Sequence, residues 1–133
     1  MRLVLDTNVL VSGLLNPRGA PGRLLDLLLA GQIVPLFDDR IVAEYREVLA
    51  RPRFGFEDRD ARAVLDYLTL AGEPVAAPPL DVTLPDPDDL PFLEVAAAGR
   101  ADALVTGNPR HFVPKRGKTE VAVLSPSEVL RIL

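Results

Sequence analysis

The sequence predicts an α/β fold, a three-layer α/β/α arrangement around a mainly parallel sheet of roughly five strands. Short apolar runs alternate along the chain with longer segments in which apolar residues recur at helical spacing. Strands separated by helices of this length imply crossover connections, and such crossovers join parallel strands. The chain has 133 residues, 48% of them hydrophobic, which supplies one core and predicts a single domain over 1–133.

The first half of the chain contains two predicted strands and four predicted helices. In chain order they are a strand over 3–5, helices over 9–15 and 24–29, a strand over 33–37, and helices over 39–50 and 57–71. Pro35 in "IVPLF" cannot donate to a ladder, which indicates an edge position or an irregularity in that strand. We interpret the apolar faces at 9–15 and 57–71 as core; the second consists of Ala63, Val64, Leu65, Leu68 and Leu70.

The second half of the chain adds three strands and two helices. They are a short strand at "PVAA" (74–77), a helix over 90–99, strands at "DALVT" (102–106) and "EVAVL" (120–124), and a last helix beginning near Ser127 and Glu128. A Pro-rich, acid-rich loop, "PPLDVTLPDPDD", precedes the first of these helices. Proline is tolerated only in a first turn, so Pro91 predicts that the helix begins near Asp88 or Asp89.

The composition excludes several kinds of site. Without cysteine there is no disulfide framework, thiolate nucleophile or zinc–thiolate site, and a single histidine, His111, excludes a histidine-rich metal site. No apolar run approaches the ~20 residues of a membrane span, and Asp6 interrupts the N-terminal run, so we expect a cytoplasmic protein without a membrane partner. The net charge of −4 argues against a nucleic-acid coat protein. It leaves open an enzyme acting on nucleic acid, because acids that surround bound cations contribute to this count.

The predicted strands sort the polar residues into two groups. Ligands of open parallel sheets bind beyond the carboxyl ends of the strands, near the point where strand order reverses. Asp6 follows the first strand and Asn108 follows the fourth, so both belong to that edge. Asp102 begins the fourth strand, roughly 15 Å away by strand rise, and we exclude it from the site.

Helical spacing brings two further acids toward this edge. In "DDRIVAEYREVL", Glu44 lies on the flank of the apolar arc, whereas Glu47 falls opposite its centre and faces water. In "DPDDLPFLEVAAAG", Asp89 continues the column of Leu93 and Ala96, while Leu90 and Glu94 project the other way. Simpler structural roles are open: Glu44 paired with an arginine, Asp88 as helix cap, and the same for Asp38 and Asp39 on the preceding helix.

Three carboxylates that converge repel strongly unless a positive charge neutralises them. Without cysteine or a histidine cluster, the expected counter-charge is a hard divalent ion with oxygen ligands, Mg²⁺ or Mn²⁺. Asp6 would then be a metal ligand held by a rigid strand, with Thr7 and Asn8 capping the next helix or holding the carboxylate. Taken alone, "DTN" is better explained as a helix cap at a strand–helix junction.

Four segments together resemble the PIN domain of the VapC kind, and the resemblance covers essentially the whole chain. They are "LVLDTNVLVSGLL", "DDRIVAEYREVLARPRF", "DPDDLPFLEVAAAGRADALVTGNPRHF" and "VLSPSEVL". The resemblance implies a PIN-like fold and metal-binding, catalytic acids at Asp6, Glu44 and Asp89, with Asp86 or Asp88 as alternatives for the third. The family's fourth acidic position holds Asn108 here, a departure that weakens the field on a second ion; the alternative is that Asn108 caps the turn at Pro109. Thr106 is a possible supporting residue.

The resemblance also implies an activity and partners. It predicts a Mg²⁺- or Mn²⁺-dependent endoribonuclease, the toxin of a type II toxin–antitoxin pair, in which metal-activated water cleaves RNA and leaves a 5′-phosphate and a 3′-hydroxyl. A small antitoxin protein that blocks the acidic groove and a homodimer are expected. Candidates for holding RNA phosphates are Arg18, Arg23, Arg110, Lys115, Arg116 and Lys118, although a charge run is often only a solvated surface, and His111 is more simply structural than catalytic.

Two other functions remain open from the sequence. A phosphatase with an aspartyl-phosphate intermediate also places an Asp after the first strand, but it needs a second Asp where Asn8 stands. A non-catalytic PIN-like module that binds RNA or protein draws support from Asn108.

Overall fold

A computed structural model describes all residues from Met1 to Leu133, with five strands and six α-helices. The strands are β1 (Arg2–Leu5), β2 (Val34–Phe37), β3 (Glu73–Pro74), β4 (Ala103–Val105) and β5 (Val123–Leu124). The helices are α1 (Thr7–Leu15), α2 (Ala20–Leu29), α3 (Asp39–Leu49), α4 (Asp58–Ala71), α5 (Leu90–Ala98) and α6 (Pro126–Ile132). Short 3₁₀ helices occupy Pro52–Phe54, Pro87–Asp89 and Pro109–Phe112.

The five strands form one parallel sheet in the order β3-β2-β1-β4-β5. The chain moves outward from β1 through β2 to β3, returns to β4 beside β1, and ends at β5, so strand order reverses between β1 and β4. Because crossovers are right-handed, the helices that follow β1 and β2 cover one face, and α5, which returns the chain to β4, covers the other. The predicted three-layer α/β/α fold is confirmed.

The central strands and α5 form the middle of the hydrophobic core. Leu3, Val4 and Leu5 of β1 are fully buried or nearly so, as are all three residues of β4. On α5, Phe92, Leu93 and Val95 are also buried, because this helix packs on β1, β2 and β4 together. Strands covered on both faces are apolar throughout, which explains the unbroken apolar runs of the sequence. The two strands that end at the predicted site are therefore rigidly held.

The predicted elements are all present, with shifted ends. The third strand lies at Glu73–Pro74 rather than 74–77, and the fifth is limited to Val123–Leu124. An edge position for β2 is wrong, since β2 lies between β1 and β3. Val34 N donates to Met1 O on the β1 side of the strand. The nitrogen of Pro35, one residue later, faces the β3 side, where pairing begins only at Leu36 opposite Glu73. No ladder bond is lost there.

The apolar face predicted for α4 is only partly core. Leu65 and Leu68 are buried, whereas the side chain of Leu70 is 87% exposed. Between α1, α2 and α4 an apolar cleft of about 240 Å³ remains open, lined by nine apolar residues that include Leu14, Leu29 and Tyr67. None of the six helices is both long and apolar enough to span a membrane.

Arg100 is the one non-glycine residue with a positive φ, 51°. It follows the end of α5, where Ala101 N donates to Ala96 O at 3.0 Å in a turn that normally uses glycine. This conformation costs an L-residue about 1–2 kcal/mol. Glycine avoids that strain, but it loses more chain entropy on folding, which offsets part of the benefit. We expect Arg100→Gly to raise the free energy of unfolding by roughly 0.5 kcal/mol in urea titrations. Arg100→Ala, which keeps the strain, is the control, and a less stable glycine variant would contradict the explanation.

Candidate active site

Asp6 stands at the point where strand order reverses. Its backbone N–H donates to Val105 O at 2.9 Å, which continues the pairing of β1 with β4 by one residue. The side chain of Asp6 is 5% exposed, and its Oδ2 accepts a hydrogen bond from Thr106 Oγ1 at 2.8 Å. Thr106, which directly follows β4, therefore holds the buried carboxylate of Asp6, which directly follows β1, in a fixed orientation.

Glu44 faces the site from α3. The side chain is half-buried, and its Oε2 accepts a hydrogen bond from the hydroxyl of Thr7, a buried residue that begins α1. The hydroxyl of Thr7 thus holds the carboxylate of Glu44 rather than that of Asp6. Glu47 is exposed and pairs with Arg51, as expected for a surface charge, and Asn8 is exposed without a side-chain hydrogen bond.

Asp89 is the last residue of the 3₁₀ helix that leads into α5, and its side chain is 17% exposed. The predicted cap role of Asp88 is wrong, because Asp86 caps this turn: Asp86 Oδ1 accepts from Asp88 N at 2.9 Å. Asp86 and Asp88 are both exposed. Among the three acids of this segment, burial favours Asp89 as the one that faces the site.

Asn108 and His111 connect the fourth strand to Asp89. Asn108 N donates to Thr106 Oγ1 at 3.0 Å, and the amide Nδ2 of Asn108 lies 2.9 Å from Nε2 of His111. The other ring nitrogen, Nδ1, lies 3.9 Å from Asp89 Oδ2. The alternative in which Asn108 caps the turn at Pro109 is wrong for its side chain, which makes no capping bond. Through Thr106, this chain of contacts joins Asp6 to Asp89.

The three carboxylates act on one another electrostatically. Burial, with the charges of Asp6, Asp86 and Glu44, raises the pKa of Asp89 to about 6. Burial is also the main reason that the pKa of Asp6 is raised, with the bond from Thr106 opposing it. The pKa of Glu44 is raised by burial and by the charges of Asp6 and Asp88, against the bond from Thr7. Each carboxylate is thus harder to ionise because of its position, and a cation in their midst would relieve this cost.

The donor set has the chemistry that a hard divalent ion needs. Carboxylate oxygens are the preferred ligands of Mg²⁺ and Mn²⁺, and mutual repulsion is what such an ion neutralises. As the side chains lie, however, no three His, Asp or Glu residues are close enough together to hold an ion. The expectation of three carboxylates sharing one cation is therefore not met in this arrangement, because like charges without a counter-ion repel. Asp6, Glu44 and Asp89 fit the ion chemically and must converge further to bind it.

The predicted phosphate-binding residues are exposed, and none forms a hydrogen bond or ion pair with the three acids. Arg110 lies in the 3₁₀ helix beside His111. Lys115 and Arg116 follow it, and their backbone pairs with Thr83 in an antiparallel bridge, which ties this loop to the segment leading to Asp86. Arg18 and Arg23 lie elsewhere, at the α1–α2 turn and on α2, and Lys118 is further along the loop.

Sequence reasoning missed two charged residues beside the site, Arg40 and Glu94. Glu94, predicted to project away from Asp89, is buried, and its Oε1 accepts a hydrogen bond from Arg40 of α3. The sequence does contain a sign of Glu94, because it is the one charged residue of "LPFLEVAAA". A helix that is otherwise apolar on all sides is expected to be buried, and so is a charge within it. Tyr45 was also placed only in the core; its hydroxyl donates to Leu5 O, and burial raises its pKa.

Comparison with known proteins identifies the family. The PIN domain family model matches residues 2–110. The chain belongs to the PIN domain family. An uncharacterized protein of Methanocaldococcus jannaschii, MJ1680, is 29% identical over 113 residues, covering 81% of this PIN domain and 71% of the relative. The crystal structure of VapBC2 from Rickettsia felis, bound to a DNA fragment from their promoter, matches with a TM-score of 0.59 and 19% identity, over 94% of this chain and 98% of that one.

These matches confirm the predicted PIN-like fold and the resemblance to VapC-like proteins. PIN domains are generally nucleases, and PIN nucleases generally use divalent metal ions. At 19% identity, the match to VapBC2 describes the fold alone. The roles of individual residues in this PIN domain therefore depend on the geometry of its own site.

Proposed function

We propose that this PIN domain is a Mg²⁺- or Mn²⁺-dependent endoribonuclease and the toxin of a type II toxin–antitoxin pair. The observation that carries the proposal is the group formed by Asp6, Glu44 and Asp89. These carboxylates come from a strand end, from α3 and from the 3₁₀ helix before α5, and they stand beyond the β1 and β4 ends, where parallel sheets bind ligands. Burial raises the pKa of all three, and the charge of Asp6 further raises the pKa values of Glu44 and Asp89. Carboxylates whose ionisation is made unfavourable by burial and by neighbouring charges are typical of functional sites, including metal-binding ones.

In this mechanism, Asp6, Glu44 and Asp89 would hold the ion, and two hydroxyls orient the carboxylates that would be its ligands. Thr106 fixes the carboxylate of Asp6, and Thr7 fixes that of Glu44. Hydrogen bonds of this kind orient ligands and maintain affinity. When bound, the ion supplies charge stabilisation at the phosphodiester and activation of water. Because Asn108 is neutral and already contacts His111, we propose one ion rather than two.

The basic residues that follow this edge extend the site toward RNA. Arg110, Lys115 and Arg116 lie on the segment after Asn108 and have no ion-pair partner, so their charges are free to hold phosphates. Arg18 is a further, more distant candidate. Phosphate contacts of this kind position a nucleic acid without reading its sequence. We therefore assign binding strength to these residues and cleavage to the acids.

The proposal includes an antitoxin partner that covers the acidic site, a homodimer and a cytoplasmic location. The similar structure of VapBC2, which is bound to a DNA fragment from their promoter, supports a partner of the antitoxin kind. The expected result is a stable complex when the chain is co-expressed with the small protein encoded beside it. In that complex, RNA cleavage should be suppressed.

Metal binding and chelator-sensitive cleavage test the proposed function together. We expect Mn²⁺ to bind the purified protein in isothermal titration, and mixed RNAs to be cleaved with Mn²⁺ or Mg²⁺ but not with EDTA. Glu44→Gln should lose both properties, while Glu47→Gln on the exposed side of the same helix should keep them. These two variants make the same chemical change one turn apart, so the comparison isolates the site.

Two other outcomes would replace the proposal. A protein that neither binds Mn²⁺ nor cleaves any RNA in a chelator-sensitive manner would be a binding module, as the neutral Asn108 favours. Phosphate release from a small phosphomonoester, lost on Asp6→Asn, would indicate the phosphatase instead.

A further inference from the structure

Glu94 is a buried carboxylate on a helix whose other buried residues are apolar. Its side chain is 4% exposed, and both oxygens are occupied: Oε1 accepts from Arg40 Nη1 at 2.7 Å, and Oε2 accepts from Leu80 N at 2.8 Å. Burial removes water from the Glu94 carboxylate, while the Arg40 side chain remains 46% exposed, so the pair contributes little net stability compared with apolar packing. Such pairs are better explained where they fix one arrangement of the elements they join.

Arg40 extends this contact to the beginning of α3. Its Nε and Nη2 lie 2.9 Å and 2.8 Å from Asp38 Oδ2, while Asp38 Oδ1 caps α3 by accepting from Ile41 N at 3.1 Å. One guanidinium, whose planar fork sets direction as well as distance, therefore holds the N-terminus of α3 against the middle of α5. We name Arg40 and Glu94 together the α3–α5 clamp.

The clamp joins the two helices that carry acids of the site. Glu44 lies one turn after Arg40 on the same side of α3, and Asp89 directly precedes α5. No hydrogen bond or ion pair links Glu44 to Asp89. The two helices also meet through the rings of Tyr45 and Phe92, whose centroids are 6.3 Å apart, and ring packing sets direction less strictly than a charged fork.

We propose that the α3–α5 clamp is a positioning element of the acidic site, which fixes the two segments that carry Glu44 and Asp89 in the arrangement from which these side chains would converge on a divalent ion. This inference rests on the proposed function. Arg40 and Glu94 touch neither the ion nor the RNA in this role. They act through the helices, so their removal should lower metal affinity while the protein remains folded.

Titration with Mn²⁺ tests the clamp without relying on activity. We expect Glu94→Gln, which keeps an acceptor for Leu80 N but loses the charge, to bind Mn²⁺ about tenfold more weakly than the wild type. Arg40→Met should show a similar loss, and Arg40→Lys should recover part of it. Glu73→Gln is the matched control, because it breaks an ion pair with Arg2 at the edge of the sheet opposite the site. This variant should bind Mn²⁺ like the wild type.

The double variant Arg40→Met/Glu94→Gln separates positioning from stability. The double variant leaves no buried charge unpaired at position 94, and Asp38 keeps its capping bond from Ile41 N, so its melting temperature should lie above that of Arg40→Met. Its Mn²⁺ affinity should stay about tenfold low. Recovery of affinity together with melting temperature, or wild-type affinity in every clamp variant, would overturn this inference alone. A wild type that binds no Mn²⁺ would overturn both the inference and the proposed function.

Discussion

Asp6→Asn should lower RNA cleavage by about a hundredfold to a thousandfold, the range expected when one preorganised electrostatic group is removed from an active site. Asparagine has nearly the same shape and still accepts the hydrogen bond from Thr106 Oγ1, so the change removes one charge and little else. Mn²⁺ affinity should fall with the activity, because a neutral amide is a weaker ligand than a carboxylate. Steady-state cleavage of a labelled RNA and titration calorimetry measure the two effects.

The stability of the same variant excludes unfolding as the cause. Burial raises the pKa of Asp6, so at neutral pH its ionised form is a cost to the folded protein. The metal-free Asp6→Asn protein should therefore melt at the same temperature as the wild type or higher. Asp102→Asn is the control, since Asp102 accepts a bond from Arg2 N at the opposite end of the sheet. Equal cutting by Asp6→Asn and wild type would place the activity elsewhere or in a contaminant.

Much of this site follows from the sequence because its placement depends on local patterns. An apolar run that stops at Asp6 marks a strand end, and the edge rule for parallel sheets then groups Asp6 with the residues after β4. Helical spacing put Glu44 on the flank of α3, where the structure has it half-buried. Both predictions used the direction of a side chain relative to its own element, which a single sequence contains.

The parts that failed depend on which elements become neighbours. Spacing showed that Glu94 points away from Asp89, but it did not show that Arg40, 54 residues earlier, would meet it there. Leu70 was assigned to the apolar face of α4 and yet lies in water, because at 100° per residue it stands about 200° around the helix from the buried Leu68. The cap turned out to be Asp86 rather than Asp88 because the turn begins as a 3₁₀ helix, a choice that "DPDD" leaves open. Tertiary packing decides such cases.

Asp89→Asn should stabilise the metal-free protein at pH 7.5 by about 1–2 kcal/mol and reduce the fall in stability between pH 5 and pH 7.5. Asp89 has a pKa of about 6 in the folded protein, against 3.8 for an ordinary aspartate. Between these values the folded protein binds the proton more tightly than the unfolded chain does. Stability therefore falls as the pH rises through this window, and the full cost is present above about pH 6.

The expected change in stability allows for the partial exposure of the Asp89 side chain. A shift of this size converts to about 3 kcal/mol at 1.4 kcal/mol for each pKa unit, and we discount it because solvent reaches the side chain of Asp89. The raised pKa values of Asp6 and Glu44 act in the same direction. Glu73 and Glu128, whose pKa values are lowered by their partners, lose stabilisation only as the pH falls below about 4.5, outside the range compared.

Thermal unfolding in EDTA at pH 5 and pH 7.5 measures this effect, with Asp26→Asn on the exposed face of α2 as the control. Added Mn²⁺ should reverse the order of the two proteins at pH 7.5, because an ion that binds only the folded state stabilises it in proportion to its affinity. In the wild type, the Asp89 carboxylate that destabilises the metal-free protein then strengthens Mn²⁺ binding and so stabilises the folded state. Asp89→Asn binds the ion more weakly and is stabilised less. A wild type that is more stable at pH 7.5 than at pH 5 in EDTA would show that Asp89 ionises without cost. In that case burial and the neighbouring charges, to which we assign the raised pKa of Asp89, would not act on this group.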